Sequence, residues 1–276
     1  QHRLFLTATP HNGYTESFTS LLELLDDQRF ARNILPDEKQ LSQVMIRRLK
    51  SDLLDADGKP LYAQRKLQAL AVPYTDEERE IHQKLNDYCA SREKDAEKTG
   101  STFGTSFVNQ LLKKRLFSSP AAFASTLEKH IASLSHGAKP KAQDAMAERI
   151  LRKAILKVDE DYANDQEVEN SQSEAVEEAS RRAQPLTPEQ QRMLADLRQW
   201  AQRAKNQTDS KARAILDWLS ANLKPGGQWN DRRVILFTEY RTTHQWMHEI
   251  LASHGFGGER LGLLHGGLTQ DEREPI

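Results

Sequence analysis

The chain has 276 residues, with 39 Lys and Arg against 40 Asp and Glu, for a net charge of −1. That balance excludes a uniformly basic nucleic-acid coat but leaves room for a local basic groove. The length holds one large domain or two small ones, at roughly 100–200 residues each, and the 29% of charged residues against 37% apolar ones implies solvated or disordered stretches beside any core.

In chain order, Leu4–Leu6 reads as a short buried strand running into the turn Thr7–Pro10. Phe18, Leu21, Leu22 and Leu25 then repeat at helical spacing, Asp26–Pro36 reads as loop, and Lys66–Val72 as another strand. Thr75-Asp76-Glu77-Glu78 places a hydroxyl at a helix cap and a carboxylate three residues on. The helix it opens shows Ile81, Leu85 and Tyr88 on one face, with Cys89 beside Leu85 and expected half-buried and inert. A second helix carries Phe107, Val108, Leu111, Leu112 and Leu116 and ends before Pro120. Lys141–Gln184 has neither Gly nor Pro, and its first half bears an apolar stripe from Ala147 to Tyr162. The nine acidic residues between Asp159 and Glu178, with no basic one among them, read as solvated helix or disorder rather than as an acidic binding face.

Thr187-Pro188-Glu189-Gln190 starts another helix, with Met193, Leu194, Leu197, Trp200 and Ala204 as its buried face. The next helix buries Ile215, Leu216, Leu219 and Leu223. Val234-Ile235-Leu236-Phe237 is an unbroken apolar run, the pattern of a parallel strand covered on both faces. A helix with Trp246, Met247, Ile250 and Leu251, a short strand at Leu261–Leu264 and a helix start at Thr269 complete a βαβ pattern. Eight of the 13 glycines follow Pro225 and none lies between Ala138 and Pro225, so long helices are expected in the middle and a loop-rich α/β unit at the end. Trp200, Trp218 and Trp246 fall on apolar helix faces and read as core.

Four segments carry chemistry: LTATPHNG at Leu6–Gly13, VMIRRLKSDLL at Val44–Leu54, VILFTEY at Val234–Tyr240 and LGLLHGGLTQDER at Leu261–Arg273. In this order they resemble the helicase-like ATPases of superfamily 2, of the SWI/SNF type, and among these the bacterial RapA-like and DrmD-like members. LTATPHNG resembles motif III, VMIRRLKSDLL the basic stretch late in the first RecA-like lobe, KKRLFSSP at Lys113–Pro120 a helix end before a Pro, and VILFTEY motif IV. The segment around His265-Gly266-Gly267 resembles the one a strand later. The likeness covers Arg3–Val72 and Lys211–Ile276 well and the helical middle loosely.

That resemblance implies an α/β fold. Residues 1–75 would be part of RecA-like lobe 1, 76–208 a helical accessory insertion, and 209–276 part of lobe 2 with its parallel sheet. It implies Thr7 and Thr9 as residues coupling the ATP site to DNA, and Thr238, His265 and Gly266 as DNA contacts. Arg47, Arg48 and Lys50 are basic candidates for phosphates, or else a solvated edge with one bracing ion pair. Thr238 reads alternatively as a cap for the next helix, and Gly266 with Gly267 as a tight turn.

The implied partner is duplex DNA, with the helical insertion open to a protein partner. The implied setting is a bacterial cytoplasm near the nucleoid, and the implied cofactors are ATP and Mg²⁺ for the whole protein. No run approaches 18 apolar residues, so no membrane span is expected, and a single cysteine fits a reducing interior.

The sequence lacks G-x-x-x-x-G-K-[ST], a DExH box and Q-x-x-G-R-x-x-R. It reads as a piece of a longer motor, one that binds no ATP and hydrolyses none by itself. His244 and His248 share a helix face, but no H-E-x-x-H is present, so no metal site is expected. The rival reading is a non-catalytic helical interaction module with degenerate motor segments.

Overall fold

The computed structural model describes residues 3–11, 14–63, 65–135, 165–274 and 276. They divide into two compact units, Gln1–Ala69 and Leu70–Ile276.

In the first unit, α1 (Thr15–Leu25) packs Phe18 and Leu22 onto Phe30, with Leu41, Val44 and Met45 partly buried around them. Leu21, expected on the buried face, is exposed. Thr19 is fully buried and ties the following loop to the helix, accepting a hydrogen bond from the Asn33 amide (2.8 Å) while donating to the Thr15 carbonyl. Asn33 has φ of 65°, a left-handed conformation that Asn tolerates. A second helix, α2 (Glu38–Val44), begins at a capping box between Asp37 and Gln40.

The second unit is built on helices α3 (Asp76–Thr99), α4 (Thr102–Ser118), α5 (Pro120–Ser135), α6 (Asp165–Arg181), α7 (Pro188–Ala204), α8 (Ser210–Leu223) and α9 (Arg241–Ser253). The short α10 (Gln270–Arg273) follows them. Their starts are local chemistry. Thr75 with Glu78 and Thr187 with Gln190 form reciprocal capping boxes, and at α10 the Thr269 amide and hydroxyl donate to the Glu272 carboxylate. α3 stops where Gly100 turns left-handed, at φ of 72°.

α5 lies at the centre of a bundle, packed on α4, α6 and α7, while α3 closes it against α4 and α7. Tyr88, Leu112, Phe123, Leu127 and Leu197 are wholly buried there, each contributing about 1.5–3 kcal/mol by leaving water. A smaller core joins Leu216 to Trp246, Met247, Leu251 and Phe256, where α9 meets α8.

Three polar networks cross this unit. His130 sits fully buried between the Tyr88 hydroxyl (2.7 Å) and the Ser180 hydroxyl (2.7 Å). Burial, with the Arg92 charge adding to it, pushes its pKa down to about 3, so the ring is neutral. Glu78 accepts from Thr75 at its own cap and from the Ser210 amide and hydroxyl, linking the starts of α3 and α8. Burial works against its ionisation, but those hydrogen bonds outweigh it and its pKa falls. Lys211 donates to the carbonyls of Phe117 and Ser118 at the end of α4, where a cation offsets the helix dipole. Burial lowers the pKa of that lysine.

The expected α/β architecture with a parallel sheet is overturned. The structure is 61% helix and 1% strand, with no sheet among the described residues. Leu4–Thr7, Lys66–Val72, Val234–Phe237 and Leu261–Leu264 form neither helix nor strand, and the one β pairing among the described residues is an isolated antiparallel bridge between Leu54 and Pro60. A parallel strand needs neighbours and two covered faces. Ile235 is 76% exposed and Phe237 91%, so neither condition holds.

Three smaller expectations change too. Cys89 is fully buried rather than half-buried, and burial pushes its thiol up to about 12. Trp200 and Trp246 are core, but Trp218 is exposed. Within the acidic run, residues 165–178 belong to helix α6, whose Ala175 and Val176 are wholly buried. The apolar stripe from Ala147 to Tyr162 lies outside the described residues.

Candidate nucleic-acid interface

In the second unit, the chain leaves Val234–Phe237, turns at Thr238–Tyr240 and enters α9 at Arg241. A cleft of about 170 Å³ opens at this turn, lined by residues 236–241, His244, Leu264 and His265. It is where VILFTEY and LLHGG meet.

The Arg241 guanidinium lies 3.3 Å from His265 Nδ1, and the Gly267 amide donates to the same nitrogen at 3.2 Å. Nδ1 thus lies within reach of two N–H donors. The His244 and His265 rings meet edge-on with centroids 6.2 Å apart. Arg273 donates to the Gly266 carbonyl at 3.1 Å, closing the His265–Gly267 turn from the other side.

Thr238 is half-buried on the cleft wall. It is not the cap of the next helix. Tyr240 holds that position and offers no side-chain hydrogen bond to the first turn of α9. The amides of that turn and the positive end of the helix dipole thus lie beside Arg241.

Behind the cleft the wall is buried. Tyr240 is 4% exposed, with Glu239 beside its hydroxyl. Its pKa is pushed up to about 12 by burial first and by the nearby Glu239 second. The Arg115 guanidinium covers the Tyr240 ring at 3.8 Å. Neither Arg115 nor its acidic partner Glu169 was singled out by sequence reasoning as a site residue.

The remaining candidates lie in the first unit. Thr7 and Thr9 are exposed on either side of a bend, where the Thr9 amide donates to Thr7 Oγ1 at 3.2 Å. Arg47, Arg48 and Lys50 are exposed and make no ion pair among the described residues, so the bracing ion pair is not found there. Lys50 lies 5.4 Å from the Tyr62 ring.

Triphosphate does not fit the Gly-Lys turn. Gly58-Lys59 lies in a turn whose amides are already taken: the Asp55 carboxylate accepts from the Asp57 and Lys59 amides at 2.9 and 2.8 Å. A carboxylate in that position repels phosphate, and Pro60 contributes no amide. Among the described residues no group of three His, Cys, Asp or Glu side chains is placed to hold a metal ion. No described helix is long and apolar enough to cross a membrane.

No family model matches this chain, and no curated protein or solved structure matches it either.

Proposed function

We propose that this chain is a DNA-contacting part of an ATP-dependent DNA translocase of the SWI/SNF type. ATP and Mg²⁺ serve the whole motor, and this chain alone hydrolyses no ATP. The observation that carries the reading is the cleft at Thr238–Arg241. Two segments read separately as motif-like meet there, joined by Arg241, just after the first, and His265, 24 residues on. A guanidinium, two imidazoles, a hydroxyl and uncapped helix amides suit a phosphate backbone, which is bound without reading sequence.

Contact with duplex DNA would fall on Thr238, Arg241, His265 and Gly266 in the second unit. In the first it would fall on Arg47, Arg48 and Lys50. Thr7 and Thr9 would transmit nucleotide-driven movement in the whole motor rather than act on a substrate. A bacterial cytoplasmic setting near the nucleoid fits this role.

Salt-dependent binding of a fluorescent duplex tests the reading. The chain should bind more weakly as salt rises. Arg241→Ala should weaken binding and flatten the logarithmic salt dependence by about one unit. No binding at low salt, or a slope unchanged by Arg241→Ala, contradicts the proposal. DNA-stimulated ATP hydrolysis by the purified chain contradicts its second half.

One observation favours a second reading, a non-catalytic helical interaction module. The bundle α3–α7 holds the largest buried core of the described residues, whereas the motif-like segments are largely exposed. Failure of duplex binding with the bundle intact would favour that module.

A further inference from the structure

Arg115 on α4 is 3% exposed at its side chain, and Glu169 on α6 is 15% exposed. Removing a guanidinium from water costs several kcal/mol unless it is paired and hydrogen-bonded. Here Nη1 donates to Glu169 Oε1 at 2.8 Å, and the other terminal nitrogen donates to Gln172 Oε1 at 2.8 Å. Its flat face covers the Tyr240 ring, and Nε has no partner among the described residues.

The same Glu169 oxygen also accepts the Thr242 hydroxyl at 2.6 Å. One residue along, the Thr243 hydroxyl meets the Ser118 and Ser119 hydroxyls at 2.6 and 2.8 Å. Ser119 at the same time accepts the Ala122 amide at the start of α5. The turn that lines the cleft is thus gripped at Tyr240, Thr242 and Thr243 by α4, α5 and α6. Between two of the gripped residues lies Arg241, which reaches His265.

A buried ion pair is weak evidence of stability, since apolar replacements often do as well. What this pair supplies is direction. The forked guanidinium fixes Glu169 and Gln172 in one plane and the tyrosine ring against its face, and Glu169 then fixes Thr242.

We propose that Arg115 is a positioning residue through which the helical bundle sets the shape of the Tyr240–Arg241 cleft, so that a rearrangement of α4 against α6 changes what the cleft can hold. The link to DNA rests on the proposed function, whereas the mechanical link does not.

Amide hydrogen exchange on the whole chain tests it, in Arg115→Met and in Thr242→Val, which leaves the buried cation in place. Both variants should lose about tenfold protection at His244–Trp246, the start of α9, while Leu194–Trp200 in α7 changes less than about twofold. Leu197→Ala, a plain core defect, should show the opposite pattern. Arg115→Lys should restore only part of the protection, because an ammonium cannot span both acceptors. Equal loss across α7 and α9, or no loss at α9 in either variant, overturns the proposal. Duplex affinity measured in parallel separates the two ideas. A wild-type chain that binds no DNA removes the functional reading, and the exchange pattern still decides the coupling.

Discussion

Leu127 and Leu197 in the bundle are wholly buried, while Ile235 and Phe237, from an equally apolar run, stand in solvent. Both regions belong to one unit, and both read as core in the sequence. The difference lies in what each needs to become core. A helix satisfies its own backbone and needs only another apolar stripe beside it. An extended run needs ladder partners on its edges and cover on two faces. The bundle supplies the first need from neighbouring helices. Nothing among the described residues supplies the second for Val234–Phe237.

The comparison breaks most readily at the aromatic side chains. Phe123→Ala empties a fully buried site and should cost about 3–5 kcal/mol in denaturant unfolding. Phe237→Ala should stay within about 0.5 kcal/mol. Equal costs would mean that the extended run is buried in solution.

The next effect is a pH dependence. Below its ordinary value of 6.5 the His130 ring takes up a proton in the unfolded chain but not in the folded one, whose pKa is about 3. The stability it contributes is therefore complete above pH 6.5. It is lost as pH falls from there toward 3, by up to about 1.4 kcal/mol per pH unit. His130→Gln should remove this excess slope while lowering stability at pH 7. A slope that persists in the variant would assign it to other groups.

The smallest effect is at a cap. Thr187→Ala removes one capping-box partner from α7 and should cost about 1 kcal/mol. A loss of several kcal/mol would mean that the start of α7 does more than cap.

The sequence made the bundle legible because its signals are local. Thr75–Glu78 and Thr187–Gln190 mark helix starts within a few residues, and the apolar faces follow at spacings of three and four, whereas Pro120, expected only to end a helix, also opens the central α5. α2 carries the same capping pattern at Asp37 and Gln40 but has no buried face to mark it in the sequence. α6 answers to the solvated-helix alternative for the acidic run, but its buried face is unexpected. Val168, Gln172, Ala175, Val176 and Ala179 form a small stripe within it, which the run of charge obscured.

The sheet could not be read the same way, because pairing is a property of distant segments and an apolar run records only a capacity for it. The cleft was half legible. Thr238, His265 and Gly266 came from a likeness of motifs. Arg241, Arg115 and Glu169 were invisible because their roles depend on contacts between distant residues, 54 apart for Arg115 with Glu169 and 73 apart for Glu169 with Thr242.

The most direct measurement is a titration of the chain with a short duplex, followed by amide signals in solution NMR. The account predicts shifts at Thr238–His244, at His265–Gly267 and at Arg47–Lys50, with the face of α7 unmoved. Shifts confined to the bundle helices, or none at saturating duplex, would contradict it.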